Sequence, residues 1–131
     1  MWFYLNEEKE FDPSEHEGIV GFVYLIENLD NGKKYIGKKL LTKSVRYQKN
    51  KKKKTKRVES DWKEYTGSNE QLNADVANGA KLKKKILYLC RSKGWMSYFE
   101  TKEILNRNAI IDETYYNFWV QCKIRSSHLT K

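Results

Sequence analysis

The side chains in this sequence best suited to chemistry are two phenols and a concentration of positive charge. Tyr24 and Tyr35 flank the segment Asp30-Asn31-Gly32-Lys33, and an Asn-Gly pair accepts the positive φ angles of a tight hairpin turn. Such a turn sets two phenol hydroxyls on neighbouring strands, a pairing that by itself reads as an ordinary structural pair in a sheet. Between residues 33 and 57 stand thirteen of the 26 Lys and Arg residues and no acid. A run of that kind binds polyanions. Glu100 shares a helical stretch with Glu103, and the two by themselves read as a solvated helix face.

Other chemistries are excluded by what is missing. The sequence holds no phosphate-binding Gly-x4-Gly-Lys-Ser/Thr loop, no dinucleotide fingerprint and no metal-spaced His/Cys cluster. His16 and His128 are the two histidines and lie near the ends, where they read as solvated groups. Cys90 and Cys122 are too few for a disulfide scaffold and read as reduced thiols.

The 131 residues carry a net charge of +9, with 39% hydrophobic and 14% aromatic residues, enough for the core of one folded domain. No apolar run approaches the roughly 18–20 residues of a spanning helix, and the first ten residues are acidic rather than a basic leader. Lys49 to Lys56 offers no apolar face to a membrane. No membrane partner is therefore expected, and a cytoplasmic location is.

These groups need elements to hold them. Gly21 to Asn28 reads as a strand, and Lys34 to Gly37 as its return across a two-residue Asn31-Gly32 turn. With that turn Tyr24 and Tyr35 share a face but stand about four residues apart along the strand, and a longer loop would bring them closer. Leu40 to Tyr47 is expected to begin a helix, Gln48 to Arg57 to form a mobile lysine-rich loop, and Asp61 to Tyr65 a short turn capped by Ser60. Ser68 with Gln71 reads as a capping box for a helix ending at Gly79. Leu82 to Cys90 reads as a buried strand. Trp95, Tyr98, Phe99 and Leu105 mark a helix capped by Ser92 or Ser97. The tail from Asp112 to Ile124 is ambiguous between helix and strand. The expected class is α+β, a small three-stranded antiparallel sheet flanked by helices, with residues 1–17 an acidic extension and 18–131 a single domain.

Gly21-Phe22-Val23-Tyr24, followed eleven residues on by Tyr35-Ile36-Gly37, resembles the signature of the GIY-YIG nuclease superfamily. The first half is degenerate, with Val23-Tyr24 where Ile-Tyr is usual, and the second is complete. The order that follows (basic segment, helix, buried strand, Glu100 on a helix, Tyr116-Asn117) resembles the family core from about Gly18 to Lys123. Asp61 to Ser68, with Trp62, Tyr65, Gly67 and Ser68, is similar to a stretch of small, free-standing phage-type members.

The resemblance implies a metal-dependent endonuclease acting on DNA, most simply double-stranded, in the host cytoplasm if phage-encoded. Tyr24 and Tyr35 would border the attacking water, with Lys34, Lys38 and Lys39 favouring a phenolate. Gly37 would admit the phosphate, and Glu100 would ligate Mg²⁺ (or Mn²⁺). Arg46 would steady charge on the phosphate, with Arg57 and Arg91 as alternatives. Lys51, Lys52, Lys53, Lys54, Ser68 and Asn117 would add nucleic-acid contacts, Ser68 and Gly67 by presenting backbone amides, while Trp62 and Tyr65 would pack on the sheet or stack on a base. The implied geometry is both tyrosine rings within reach of Glu100. Two other readings stay open, a non-catalytic nucleic-acid-binding module on the same fold and a partner-binding protein with a solubilising lysine run. Target specificity, nicking against double-strand cutting, biological role and oligomeric state are not legible.

Overall fold

A computed structural model describes residues 1–129. Its centre is a four-stranded mixed sheet in the order β1-β6-β2-β3, built from β1 (Trp2–Tyr4), β2 (Gly21–Asn28), β3 (Lys34–Leu40) and β6 (Leu82–Cys90). The three antiparallel strands β6-β2-β3 are the expected ones, and β1 adds a fourth, parallel to β6. The acidic segment is therefore no mere extension. Trp2 is 1% exposed, its ring lies 5.1 Å from Phe22 and 5.2 Å from Tyr24, and its Nε1 donates to the Trp62 carbonyl at 2.7 Å. Burying so large a side chain contributes on the order of 3 kcal/mol, enough to draw a charged segment onto the sheet.

The β2–β3 connection is a four-residue loop, not the two-residue turn expected. Asn28 donates its N–H to Lys33 O, Gly32 takes φ +76°, and the amide oxygens of Asn28 and Asn31 accept from the backbones of Asp30 and Lys33. These side-chain bonds hold the wider turn, and the register follows from it. Tyr24 pairs with Gly37 and Ile26 with Tyr35. The two tyrosines share a face only two residues apart.

The lysine-rich stretch is neither helix nor loop. Thr42–Lys49 (β4) and Lys52–Glu59 (β5) form a separate two-stranded antiparallel hairpin around Asn50 and Lys51, both at positive φ. Its register explains how so basic a segment folds. Lys43 faces Val58, Ser44 faces Arg57, Val45 faces Lys56, Arg46 faces Thr55, Tyr47 faces Lys54 and Gln48 faces Lys53. Only Lys49 and Lys52, beside the turn, place like charges directly opposite each other, the arrangement that destabilises a ladder.

Helix α1 (Glu70–Ala77) is capped by Asn69, whose Oδ1 accepts from Leu72 N at 3.0 Å, one residue later than the Ser68 cap expected. It closes at Asn78 with Gly79 at φ +92°. Helix α2 (Lys93–Asn106) starts on Ser92, whose Oγ accepts from Trp95 N. The turn at Asp61–Glu64 is not capped by Ser60, which donates to Leu40 O instead. One core cluster, on the Phe22-Tyr24-Ile26 face, takes in Trp2, Phe11, Trp62 and Leu72. The other, on the Val23-Ile36 face, takes in Met96 and Ile104 of α2.

The tail is neither helix nor regular strand. It runs along the outer edge of β3, Lys34 donating to Thr114 O and Tyr116 to Lys34 O, and Asn117 continues the ladder with its side chain. Tyr116 fastens it down. Its hydroxyl donates to Asp75 at 2.6 Å and accepts from Asn28 at 3.0 Å.

Candidate active site

The sheet presents Tyr24 and Tyr35 toward the outer edge of β3, where a cleft of about 980 Å³ opens between that strand, the start of α1, α2 and the tail. Tyr35, Lys38, Ser68, Glu100 and Asn117 line it. Tyr24 lies across β3 with its hydroxyl over Gly37, in contact with the position a Cβ there would take. Gly37, expected to admit a phosphate, is instead the floor beneath this phenol. Gly67, at φ +89°, closes over the other side, so that a Cβ there would stand 3.1 Å from the Tyr35 ring and 3.4 Å from the Tyr24 hydroxyl. The two tyrosine centroids are 6.3 Å apart.

Moving the cap from Ser68 to Asn69 has a consequence here. With Asn69 holding the helix start, the Ser68 hydroxyl is free to meet the Tyr35 hydroxyl, 3.0 Å away. Glu100 approaches from α2. It is half-buried, and its carboxylate takes no hydrogen bond among the described residues. Burial pushes its pKa up, with Lys38 pulling the other way. Its charge in turn raises the pKa of both tyrosines, and it lines the same cleft as Tyr35.

The expected phenolate is not favoured. Burial pushes the Tyr24 hydroxyl well above its ordinary range, with Tyr65, Tyr35 and Glu100 adding to the effect. Burial also raises Tyr35, though its bond to Ser68 works against the shift. The lysines that were to lower these values are turned elsewhere. Lys39 pairs with Asp61 at 2.7 Å and sits 4.0 Å over the Tyr65 ring. Lys38 donates to Ser97 at 2.7 Å, and Lys34 lies over the ring of Tyr115.

Asn117 is buried, with its Oδ1 accepting from Ile36 N at 3.0 Å and its Nδ2 donating to Ile36 O at 2.9 Å. Its amide imitates a strand neighbour and positions β3 rather than offering a polar group to nucleic acid. Trp62 packs against Phe11 and Phe22, and Tyr65 against Tyr24.

The arginines separate. Arg46 stands exposed in the middle of the hairpin, and Lys51, Lys52, Lys53 and Lys54 lie at its tip. Arg91 lies beside Gly18. Arg57, at the hairpin base, lines a second cavity of about 690 Å³ with Lys38, Lys93 and Ser97. Lys38 therefore borders both cavities, and cationic surface continues from the cleft toward the hairpin. Lys93, at the first turn of α2, is a cation of that cavity which the sequence pattern did not single out.

A mixed sheet bearing paired tyrosines on its β2–β3 hairpin and a glutamate on the helix after β6 is the arrangement of a GIY-YIG type of nuclease domain. The chain matches the family model described as "Putative endonuclease segE, GIY-YIG domain" over residues 2–120. It belongs to that family. Comparison with curated proteins and with solved structures gave no match.

Proposed function

We propose that this chain is a divalent-metal-dependent endonuclease hydrolysing phosphodiester bonds in double-stranded DNA. The observation that carries the reading is Glu100, a half-buried carboxylate without a hydrogen-bond partner among the described residues, facing the same cleft as the Tyr35–Ser68 pair and close to Tyr24. Membership of an endonuclease family supports it. The domain would include the acidic segment, because Trp2 seats beneath Tyr24.

The donor set fits Mg²⁺. No histidine or cysteine lines the cleft, so its metal-ligating groups are oxygen donors, and among the described residues no cluster of three or more His, Cys, Asp or Glu could enclose an ion. One carboxylate with water and phosphate oxygens completing the shell suits a cation that keeps most of its hydration. When bound at Glu100, the ion would supply Lewis-acid stabilisation of the phosphate and lower the pKa of a coordinated water.

The protein's own groups do the rest. Tyr24, held protonated by burial, acts as a fixed hydrogen-bonding group that orients the attacking water. Tyr35 is less buried and bonded to Ser68, which suits it to take a proton from that water while its own passes through the serine hydroxyl to solvent in the cleft. Lys38 offers positive charge to the phosphate, and Arg57, which lines the cavity it shares with Lys38, stands closer to the cleft than Arg46 but has its guanidinium bonded to Thr42 and Ser44. Charge fixed in place before the reaction begins supplies much of the rate gain in many enzymes.

Nicking of supercoiled plasmid with Mg²⁺ tests this, run in parallel with Glu100→Gln. Wild type should nick, and the variant should lose at least about 100-fold in rate while retaining DNA affinity. Tight DNA binding by the wild type without cleavage in Mg²⁺ or Mn²⁺ would overturn the reading in favour of a non-catalytic binding module.

A further inference from the structure

The β4–β5 hairpin contributes neither buried hydrophobic residues to the two core clusters nor tyrosine or glutamate to the cleft. It carries nine bases against one acid, Glu59. Eight residues per strand at about 3.4 Å each extend it about 24 Å beyond its base. A projecting ribbon of this charge needs a counterpart.

Its two faces are chemically different. Side chains alternate across a strand, so the register sorts Thr42, Ser44, Arg46 and Gln48 with Lys53, Thr55, Arg57 and Glu59 onto one face, and Lys43, Val45, Tyr47 and Lys49 with Lys52, Lys54, Lys56 and Val58 onto the other. The first face is made of groups that form directional hydrogen bonds. The second combines lysine ammonium groups, which bind as point charges, with three apolar or aromatic side chains. Random placement of a solubilising charge run gives no reason for that division.

On the hydrogen-bonding face, the base and the tip also differ. Arg57 is already engaged, donating to Thr42 Oγ1 at 2.7 Å, Thr42 O at 2.9 Å and Ser44 Oγ at 2.8 Å. Arg46 with Thr55, and Gln48 with Lys53, form the next two rungs outward and are exposed. Rungs on one face repeat every two residues, about 6.8 Å, close to two base-pair rises of about 3.4 Å. Arginine pairs with guanine, glutamine with adenine and threonine with either, all through the major groove, whose width of about 12 Å admits a two-stranded ribbon.

We propose that the hairpin is the sequence-reading element of this nuclease, entering the major groove of duplex DNA with Arg46, Gln48, Lys53 and Thr55 toward the base edges. Lysines of the opposite face, Lys54 and Lys56 among them, reach the flanking phosphates. Arg57 fixes the ribbon at its base, where the cationic surface joins the cleft. Arg46 is on this view a reader of bases, away from the hydrolysed bond. The proposal rests on duplex DNA being the partner, but its test does not require cleavage.

The full-length protein is used to select from a random-sequence duplex library by binding in EDTA, and affinity for the selected duplex is measured over a salt series. Wild type should enrich a short motif. Arg46→Ala/Gln48→Ala should lose that motif or change it, cutting discrimination between selected and random duplex by about 5- to 150-fold per base read. Lys54→Ala/Lys56→Ala should enrich the wild-type motif, bind all duplexes more weakly, and lower the salt slope by about 1 per contact removed. The proposal is overturned if the first variant enriches the wild-type motif, if both variants weaken binding uniformly, or if wild type enriches nothing. Catalytic failure reads differently, since an inactive protein that still selects the motif leaves the hairpin's role intact.

Discussion

Replacing Gly37 by alanine separates the placement of the Tyr24 hydroxyl from everything else the site does. The added Cβ would meet the Tyr24 hydroxyl and stand 2.5 Å from its Cζ, where ordinary contact begins near 3.4 Å. The phenol ring must therefore yield by at least about 0.9 Å, and its hydroxyl, nearer still, by more. It has little room to do so, being 1% exposed and flanked by Trp2, Tyr35 and Tyr65. Overpacking of this size costs about 1–3 kcal/mol. A displacement near 1 Å at a reacting group costs about 100-fold in rate. Urea unfolding should show the first, single-turnover nicking the second, and DNA affinity should stay within about twofold because the lysines are untouched. Gly32→Ala is the control. Nothing lies within 4 Å of its Cβ, but its φ of +76° is strained for alanine, so it should lose about 1 kcal/mol of stability and no activity. If Gly37→Ala is destabilised to the expected extent yet nicks at the wild-type rate, the position of the Tyr24 hydroxyl is irrelevant to catalysis and the proposed mechanism fails.

Four other outcomes follow from particular contacts. Tyr24→Phe keeps the ring and its packing, so it should retain wild-type thermal stability to within about 1 kcal/mol while nicking collapses; retained nicking would exclude the hydroxyl from the reaction. Asn117→Ala orphans the N–H and C=O of Ile36 at a buried edge, and each orphan costs about 1–3 kcal/mol, readable as a lower urea midpoint at unchanged slope. Burial pushes the Cys90 thiol up to about 12 from an ordinary 9.0. The folded chain then keeps a proton the unfolded chain loses, so this contribution is full below about pH 9 and falls by about 1.4 kcal/mol per unit from there to about pH 12. Cys90→Ala should flatten that decline, and an unchanged slope would refute the assignment. Because burial raises the Glu100 pKa, protonation should cut nicking as pH falls toward a point above the ordinary carboxylate value. Tenfold more Mg²⁺ should move that limb lower by up to about one unit, since proton and cation compete for one carboxylate.

Local signals carried β2, β6 and α2 into view. Each has either a run of β-branched and aromatic residues or an N-cap serine within its own span, so no distant partner was needed to recognise it. The grouping of Tyr24, Tyr35 and Glu100 came from motif order, and the loop that brings the tyrosines together depended on Asn28 and Asn31 bonding to the backbone, which Asn-Gly alone does not specify. The hairpin at residues 42–59 was hidden by its charge. Repulsion along the run argued for a loop, whereas pairing every paired base except Lys49 and Lys52 with a neutral residue across the ladder removes most of that repulsion. Alternation in Thr42-Lys43-Ser44-Val45-Arg46-Tyr47 and the turn residue Asn50 were the overlooked signs. Strand β1 and the tail had no local signature, since Trp2 and Asn117 act through partners about 20 to 80 residues away. The pKa directions were misjudged for the same reason. Counting nearby lysines takes no account of Asp61 and Ser97, which turn two of them aside.

The seam between β3 and the tail has a consequence in time. Asn117 meets Ile36 across 81 residues of chain, so a ribosome adding about 5–20 residues per second finishes the strand roughly 4–16 s before it delivers the group that covers it. Throughout that interval the β2–β3 hairpin has an open edge capable of pairing with another chain. Lys34 and Lys38 stand on that strand, and charged lysines are among the devices that discourage such pairing. The cleft gains its tail wall only when this seam closes, so a nascent chain would acquire a complete site only after Asn117 has been made and docked.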